Sequence, residues 1–242
     1  RENVTRVRMV ATSATRDAAN REDFFAMTRE LLGQIQPGAV AEVISGEEEA
    51  ALSFAGATAD IDPSRGPFCV IDLGGGSTEL VMEDHAVSTQ MGCVRITERI
   101  MRTDPPTAEE TAEARAFIDE KIAEAAFTVP FPDARTFVGC AGTFTTLSAL
   151  AQGLESYDPE RIHVSEIPFG RLREVTADLR VKTAAQRREN PVVHPGRADV
   201  IGSGSAVVEQ LIDAFEREAG ATSFIISEKD ILDGIVAALS QD

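Results

Sequence analysis

Residues 68–82 read FCVIDLGGGSTELVM. FCVIDL (68–73) is apolar without a break up to Asp72, the pattern of a strand buried on both faces. GGGS (74–77) interrupts it and TELVM (78–82) resumes as a strand, so the glycines join two strands in a hairpin. A dinucleotide-binding fingerprint would need a helix behind the loop. Three glycines let the backbone approach an anion closely and aim several N–H groups at it. Ser77 and Thr78 add hydroxyl donors, and Asp72 at the strand end can hold a divalent metal directly or through water.

Upstream of this hairpin, TRVRMVA (5–11) and AVAEVIS (39–45) alternate like strands. They flank a helical stripe of Phe24, Thr28, Leu31, Leu32 and Ile35, with Asn20 as cap and Pro37-Gly38 as stop. GEEEAALSFAGAT (46–58) reads as a short helix and PSRGP (63–67) as a turn cluster. Downstream, AVSTQM (86–91) extends the meander. Thr107 and Glu110 form a capping box before a helix with Ala114, Phe117, Ile118, Ile122 and Ala125 on one face. TFVGC (136–140) is a strand that runs into the helix AGTFTTLSALAQ, and RADVIGSGSAVVEQLIDAFERE (197–218) is a long helix with two glycines near its start. TSFIIS (222–227) and EKDILDGIVAAL (228–239) are a last strand and helix. This order predicts an α/β chain with mixed β-sheets. Residues 54–66 are the expected hinge, which divides 1–54 from 55–242.

The 242 residues are 43% hydrophobic and 26% charged, a globular rather than disordered balance. No apolar run is long enough for a bilayer. The net charge of −17 argues against a nucleic-acid partner, where a basic footprint is expected. Cys69, Cys93 and Cys140 show no metal-type spacing and read as buried, reduced thiols of a cytoplasmic protein. Residues 171–200 run against the overall charge, with seven Arg and Lys against four Asp and Glu. There Arg187, Arg188, His194 and Arg197 fit either a track for a phosphate chain or a solvated helix face. His85 and His163 have no ligand partners at useful spacing and read as structural.

Three further segments carry chemistry. Gly139-Cys140-Ala141-Gly142-Thr143 lies between a strand and a helix start, where free N–H groups and the helix dipole favour an anion; a tight turn with Thr143 as plain cap fits as well. In Ile44-Ser45-Gly46-Glu47-Glu48-Glu49-Ala50 three adjacent carboxylates repel one another, so one is suited to act as a general base; a solvated acidic helix start is the plainer reading. Thr12-Ser13-Ala14-Thr15-Arg16 follows a strand, and its arginine can clamp a phosphate with a guanidinium fork.

Taken together, VATSATRDA (10–18), EVISGEEEA (42–50), VIDLGGGSTELV (70–81), MGCVRITE (91–98), VGCAGTFTTL (138–147), NPVVHPGRADVI (190–201) and ISEKDILDGIV (226–236) resemble the Ppx/GppA phosphatase family, in family order and over nearly the whole chain. The resemblance implies the actin-like ATPase superfold, two ribonuclease-H-like lobes with the active site between them. Residues 1–54 would belong to the first lobe and 55–242 to the second, with the C-terminal helix packing back on the first. It implies hydrolysis of the terminal phosphate of inorganic polyphosphate, or of the 5′ phosphate of guanosine pentaphosphate, with Mg²⁺ or Mn²⁺. A non-catalytic polyphosphate or nucleotide sensor and an ATP-dependent kinase on the same superfold are the rival readings. Carried over by position, Glu49 is the base that activates water, with Glu48 the second choice. Arg16 clamps phosphate and Asp72 is the metal residue. Gly74, Gly75, Gly76, Ser77 and Thr78, with Gly142 and Thr143, cradle phosphate. The implied partners are polyphosphate or guanosine pentaphosphate, with a homodimer as the expected assembly and no membrane. Nothing before Thr12 matches the family's first loop, D-x-G-[ST]-N-[ST], so the first lobe is expected to be incomplete, and the helical C-terminal module of longer relatives is not matched either.

Overall fold

The computed structural model describes residues 4, 6–12, 15 and 18–240. Near the start, β1 (Val10–Ala11) pairs in parallel with β2 (Glu42–Val43) across helix α1 (Arg21–Gly33). Helix α2 (Gly46–Thr58) then leads into a six-stranded mixed sheet. Its strands are β3 (Phe68–Leu73), β4 (Thr78–Met82), β5 (His85–Thr89), β6 (Thr136–Cys140), β7 (Ser165–Pro168) and β8 (Ser223–Ile226), in the order β5-β4-β3-β6-β8-β7. β3, β6 and β8 run parallel in the centre, and the outer pairings are antiparallel. The α/β class with mixed sheets and the β3–β4 hairpin read from the sequence are both present.

Strand alternation decides what faces what. Cys69, Ile71 and Leu73 of β3 join the larger core. That core is built with α3 (Cys93–Arg99), α4 (Ala108–Ala126), α5 (Ala141–Ala151), α7 (Phe169–Val181) and α9 (Ile201–Ala219); α6 (Pro159–Ile162) and α8 (Ala184–Arg188) are short connecting turns. Its centre is aromatic: Phe137 stacks on Phe215 at 4.1 Å, and Phe224 lies against Phe169 at 4.8 Å. Val70, Val81, Val138 and Ile225 face the other way, toward Ala50 and Ala57 of α2. The period of two puts Asp72 on that same face, the face covered by α2.

Helix α10 (Ile231–Leu239) crosses α2 backbone to backbone. A methyl group on Gly56 would overlap the carbonyl oxygen of Asp230, and one on Gly234 would overlap that of Leu52. Only glycine permits this approach. Each helix has its own cap: Ser45 accepts from the Glu48 N–H, and Asp230 and Asp233 form a capping box.

Several elements differ from the sequence reading. β1 and β2 are two residues long because, among the described residues, each pairs only with the other. Asn20 occupies the cap position of α1 without a side-chain bond. The expected hinge at 54–66 is split: residues 54–58 continue α2, whose Leu52, Ser53, Gly56 and Ala57 are buried, and a 3-10 turn at Pro63–Arg65 follows. The long helix begins at Ile201 because Pro195–Arg197 is a separate 3-10 turn, where the His194 side chain accepts from the Gly196 N–H. α3, β7 and α7 were not read from the sequence, although α7 buries Phe169, Leu172, Val175, Thr176 and Leu179 at helical spacing. The three cysteines are buried and free. Among the described residues no helix is long and apolar enough to cross a membrane.

The same substitution should have opposite effects at two helical glycines. Gly234→Ala forces α2 and α10 apart and is expected to cost about 1–3 kcal/mol. Gly170→Ala in α7, with open space around it, is expected to gain about 0.5–1 kcal/mol through helix propensity. Urea melts of the two variants check both signs.

Candidate active site

The loop 74–77 is held from one side. The N–H of Cys93 donates to the Gly74 carbonyl (3.0 Å), those of Val94 and Arg95 to the Gly75 carbonyl (2.9 and 3.1 Å), and Arg95 Nε to the Gly76 carbonyl (2.7 Å). The first turn of α3 is thus capped by the loop's carbonyls. Gly92 lets the two backbones meet, since a side chain there would overlap Gly75. In a trans peptide the C=O and the following N–H point in opposite directions. The amides of Gly75, Gly76 and Ser77 therefore point away from α3, and among the described residues they have no protein acceptor. Three donors on one side of a glycine loop are the arrangement that anion-binding loops use. Ser77 sits at its edge. Thr78 does not: it is fully buried, and its hydroxyl donates to the Met91 carbonyl.

Carboxylates gather where β3 meets α2 and α10. Asp72 Oδ2 accepts from Ser53 Oγ (3.3 Å), one helical turn past Glu49. Glu79 faces Asp72 across the hairpin register and accepts from Ser88 Oγ (2.7 Å). Glu49 and Glu79 both line a cleft of about 440 Å³ with Ser45 and Ser88. Burial first, then Glu79 and Asp230, push the Asp72 carboxyl up to about 6, with Glu49 adding to the rise and the Ser53 hydroxyl opposing it. Glu79 and Asp230 were not singled out from the sequence. The hairpin register would have found Glu79, because the residue opposite Asp72 across a four-residue loop is fixed. Asp230 lies in the stretch ISEKDILDGIV, but nothing there marks it as facing Asp72.

The second loop also matches its sequence reading in position. Helix α5 starts directly after β6 without a side-chain cap, and Ala141 adopts φ 66°, a left-handed conformation that costs a non-glycine residue about 1–2 kcal/mol. The Arg197 guanidinium lies flat on Gly142, where any side chain would collide with it. Arg197 is half-buried and has no carboxylate partner among the described residues. Thr143 is buried and packs on Gly204, its Oγ1 2.7 Å from where a side chain there would start, with the Cys93 thiol beside it. The two glycines of α9 are thereby explained: Gly204 makes room for Thr143 and Gly202 for Arg187.

Other sequence candidates lie elsewhere. Glu48 is bound by Arg8 (2.5 Å), which also holds Glu42 (2.6 Å). Arg16 lies outside the described residues. The basic segment 171–200 does not form a track: Arg171 pairs with Glu174, Arg173 with Asp213 and Glu216, Arg180 with Glu209 and Lys182 with Asp178. Arg187 is 3% exposed and donates to the Leu179 and Ala198 carbonyls, so it is a core residue. Of the basic residues in that cluster, Arg197 is the one laid on the second loop. His163 is structural as read, bonded to Asp60 (2.8 Å) and accepting from the Glu228 N–H.

Two anion-type loops, a guanidinium without a carboxylate partner among the described residues and carboxylates at the end of a central strand make this the candidate phosphoryl-binding site of an α/β protein. Residues 2–238 match the model of the Ppx/GppA phosphatase family. The chain is 52% identical over 239 residues to Exopolyphosphatase 2 of Mycobacterium tuberculosis, covering 97% of this chain and 75% of that one. The crystal structure of an exopolyphosphatase-like protein superposes with a TM-score of 0.87 at 42% identity, covering 97% of this chain and 77% of that one. The Ppx/GppA family member of Aquifex aeolicus gives 0.84 at 29% identity, covering 97% and 74%. The chain belongs to the Ppx/GppA phosphatase family.

The state of Asp72 has a consequence for stability. Its carboxyl sits at about 6 in the fold against 3.8 ordinarily. The fold therefore favours the protonated form: this contribution is present below about pH 4 and is lost as pH rises toward 6. In metal-free buffer Asp72→Asn is expected to stabilise the chain at pH 8 by on the order of 1–3 kcal/mol and to have little effect at pH 4. Thermal melts at the two pH values check it.

Proposed function

We propose that the chain is an exopolyphosphatase that removes the terminal phosphate of inorganic polyphosphate. The observation that carries the reading is the pairing of two phosphate-type cradles: the outward amides of Gly75, Gly76 and Ser77, and the second loop, where the Arg197 guanidinium, with no carboxylate partner among the described residues, lies on Gly142. Between them they offer donors to a chain of phosphates rather than to a single one. The kinship with Exopolyphosphatase 2 supports the same substrate.

Glu49 acts as the general base. It lines the cleft beside Glu79, while Glu48 is engaged by Arg8. Water held at Glu49 attacks the terminal phosphorus in line, and its proton passes to the Glu49 carboxylate. The loop amides and Arg197 hold the phosphate oxygens and take up the charge that develops on the leaving chain. Arg16 supplies a further guanidinium. Gly142 and Thr143 shape the second cradle, and Thr78 supports the first loop from beneath.

Asp72 suits a magnesium or manganese ion. Its carboxyl is crowded by Glu79, Asp230 and Glu49, a surplus of negative charge that a divalent cation relieves. Among the described residues no three acidic, histidine or cysteine side chains converge as a metal cage. Asp72 would thus share the ion with water and phosphate oxygens, as magnesium sites commonly do. When bound, the ion neutralises phosphate charge.

Phosphate release from long-chain polyphosphate with Mg²⁺, run beside guanosine pentaphosphate, tests the reading. Preference for polyphosphate is expected; release from the nucleotide alone would replace the assignment. Glu49→Gln is expected to lower turnover by about 10²–10⁴-fold while polyphosphate binding persists, and Glu48→Gln to change it little. Near-normal turnover of Glu49→Gln would move the base elsewhere.

A further inference from the structure

Arg197 poses a problem of charge. The chain has 40 acidic residues against 23 Lys and Arg, and most cations of the surrounding segment are paired. This half-buried guanidinium nevertheless has no carboxylate on it among the described residues. Something must keep nearby acids away.

The chain's single tyrosine is placed to do so. Tyr157 stands in the loop between α5 and α6, and its hydroxyl donates to Glu228 Oε1 at 2.6 Å. Burial and the Glu228 carboxylate push the phenol up to about 12, so it remains a donor throughout the neutral range. Glu228 itself stands beside the second loop, because the N–H of Ser227 next to it donates to the Gly139 carbonyl (2.9 Å). Thr145 lies on the first turn of α5, its hydroxyl 3.5 Å from the Gly142 carbonyl. Glu228, held by the phenol, and Arg197, laid on Gly142, thus belong to the same loop region. The backbone of Glu228 is tied through its N–H to His163 Nδ1 (3.2 Å), which leaves its side chain as the part free to turn.

We propose that Tyr157 is a positioning residue that holds the Glu228 carboxylate aside, so that Arg197 stays available to a phosphate oxygen of the substrate. Without the phenol hydroxyl, Glu228 turns to the guanidinium and competes with the incoming anion. The effect falls on binding and leaves the reacting groups around Glu49 and Asp72 in place. The inference rests on the polyphosphate reading of the site.

The test is a double-mutant cycle on the full chain, with tripolyphosphate binding followed by titration calorimetry. Tyr157→Phe is expected to weaken binding about tenfold, equivalent to about 1.4 kcal/mol. Glu228→Gln should bind as the parent does, although it alters the same hydrogen bond. The double variant should return to parental affinity, a rescue that loss of packing at Tyr157 would not produce. Where turnover is measured, KM should rise with kcat nearly unchanged. Parental affinity in Tyr157→Phe, or weak binding that persists in the double variant, overturns the proposal. Should Tyr157→Phe fail to fold, the double variant decides alone. No binding by the parent chain would overturn the substrate reading itself, a separate outcome from an unaltered Tyr157→Phe.

Discussion

Helices α2 and α10 meet backbone to backbone, and the geometry of the acidic cluster hangs on that contact. Gly56 touches the carbonyl of Asp230, and Gly234 touches that of Leu52. Asp230 is thereby placed from the α2 side while it caps α10. Ser53, one turn before Gly56, reaches Asp72, and Glu49 lies one turn further back along the same face. Side chains between the helices would widen the crossing by several ångström. Asp230 and Glu49 would then move away from Asp72 and their share in lifting its carboxyl would shrink, while Glu79, fixed by the hairpin register, would stay.

The proposed site also bears on how a strongly acidic chain can accommodate a polyanion. Its net charge of −17 is unfavourable at long range, but exposed charges are screened within about 10 Å at 0.1 M salt. On the proposed reading, what decides binding is local: neutral amides in the first loop and, at the second, the Arg197 guanidinium, which has no carboxylate partner among the described residues. The surrounding arginines are consumed in holding α7 and α9 together, through Arg173 to Asp213 and Arg180 to Glu209.

Legibility in the sequence followed the range of the interactions. FCVIDLGGGSTELVM gave the central strand, the hairpin and the first loop because each depends on neighbours in sequence. The capping box at Thr107 and the strand TFVGC were legible for the same reason. The resemblance supplied the roles proposed for Glu49, Asp72 and Arg16. Composition alone failed at 171–200, because Arg187 is buried by tertiary contacts with Leu179, Ala198 and Gly202, and Arg173 pairs with Asp213, 40 residues away. Thr78 misled because a hydroxyl at a strand start can turn inward as readily as outward. Arg197 was visible as a cation, but its seat on Gly142 is a tertiary fact.

The capping of α3 by the first loop has an electronic side. The carbonyls of Gly74, Gly75 and Gly76 each accept a hydrogen bond, the last from an ionised Arg95. Each of those carbonyls shares a peptide group with the N–H of the next residue, so each bond draws electron density from the amide on the opposite side. Cooperative polarisation of this kind strengthens a donor by roughly 10–30% per bond. The amides of Gly75, Gly76 and Ser77 are thus more acidic than ordinary glycine-loop amides. In the free protein the expected signature is downfield-shifted amide resonances and base-catalysed hydrogen exchange faster than solvent exposure alone dictates. The field of α3 is in this way carried through three covalent peptide units to the open face of the loop, although the helix itself never touches what binds there.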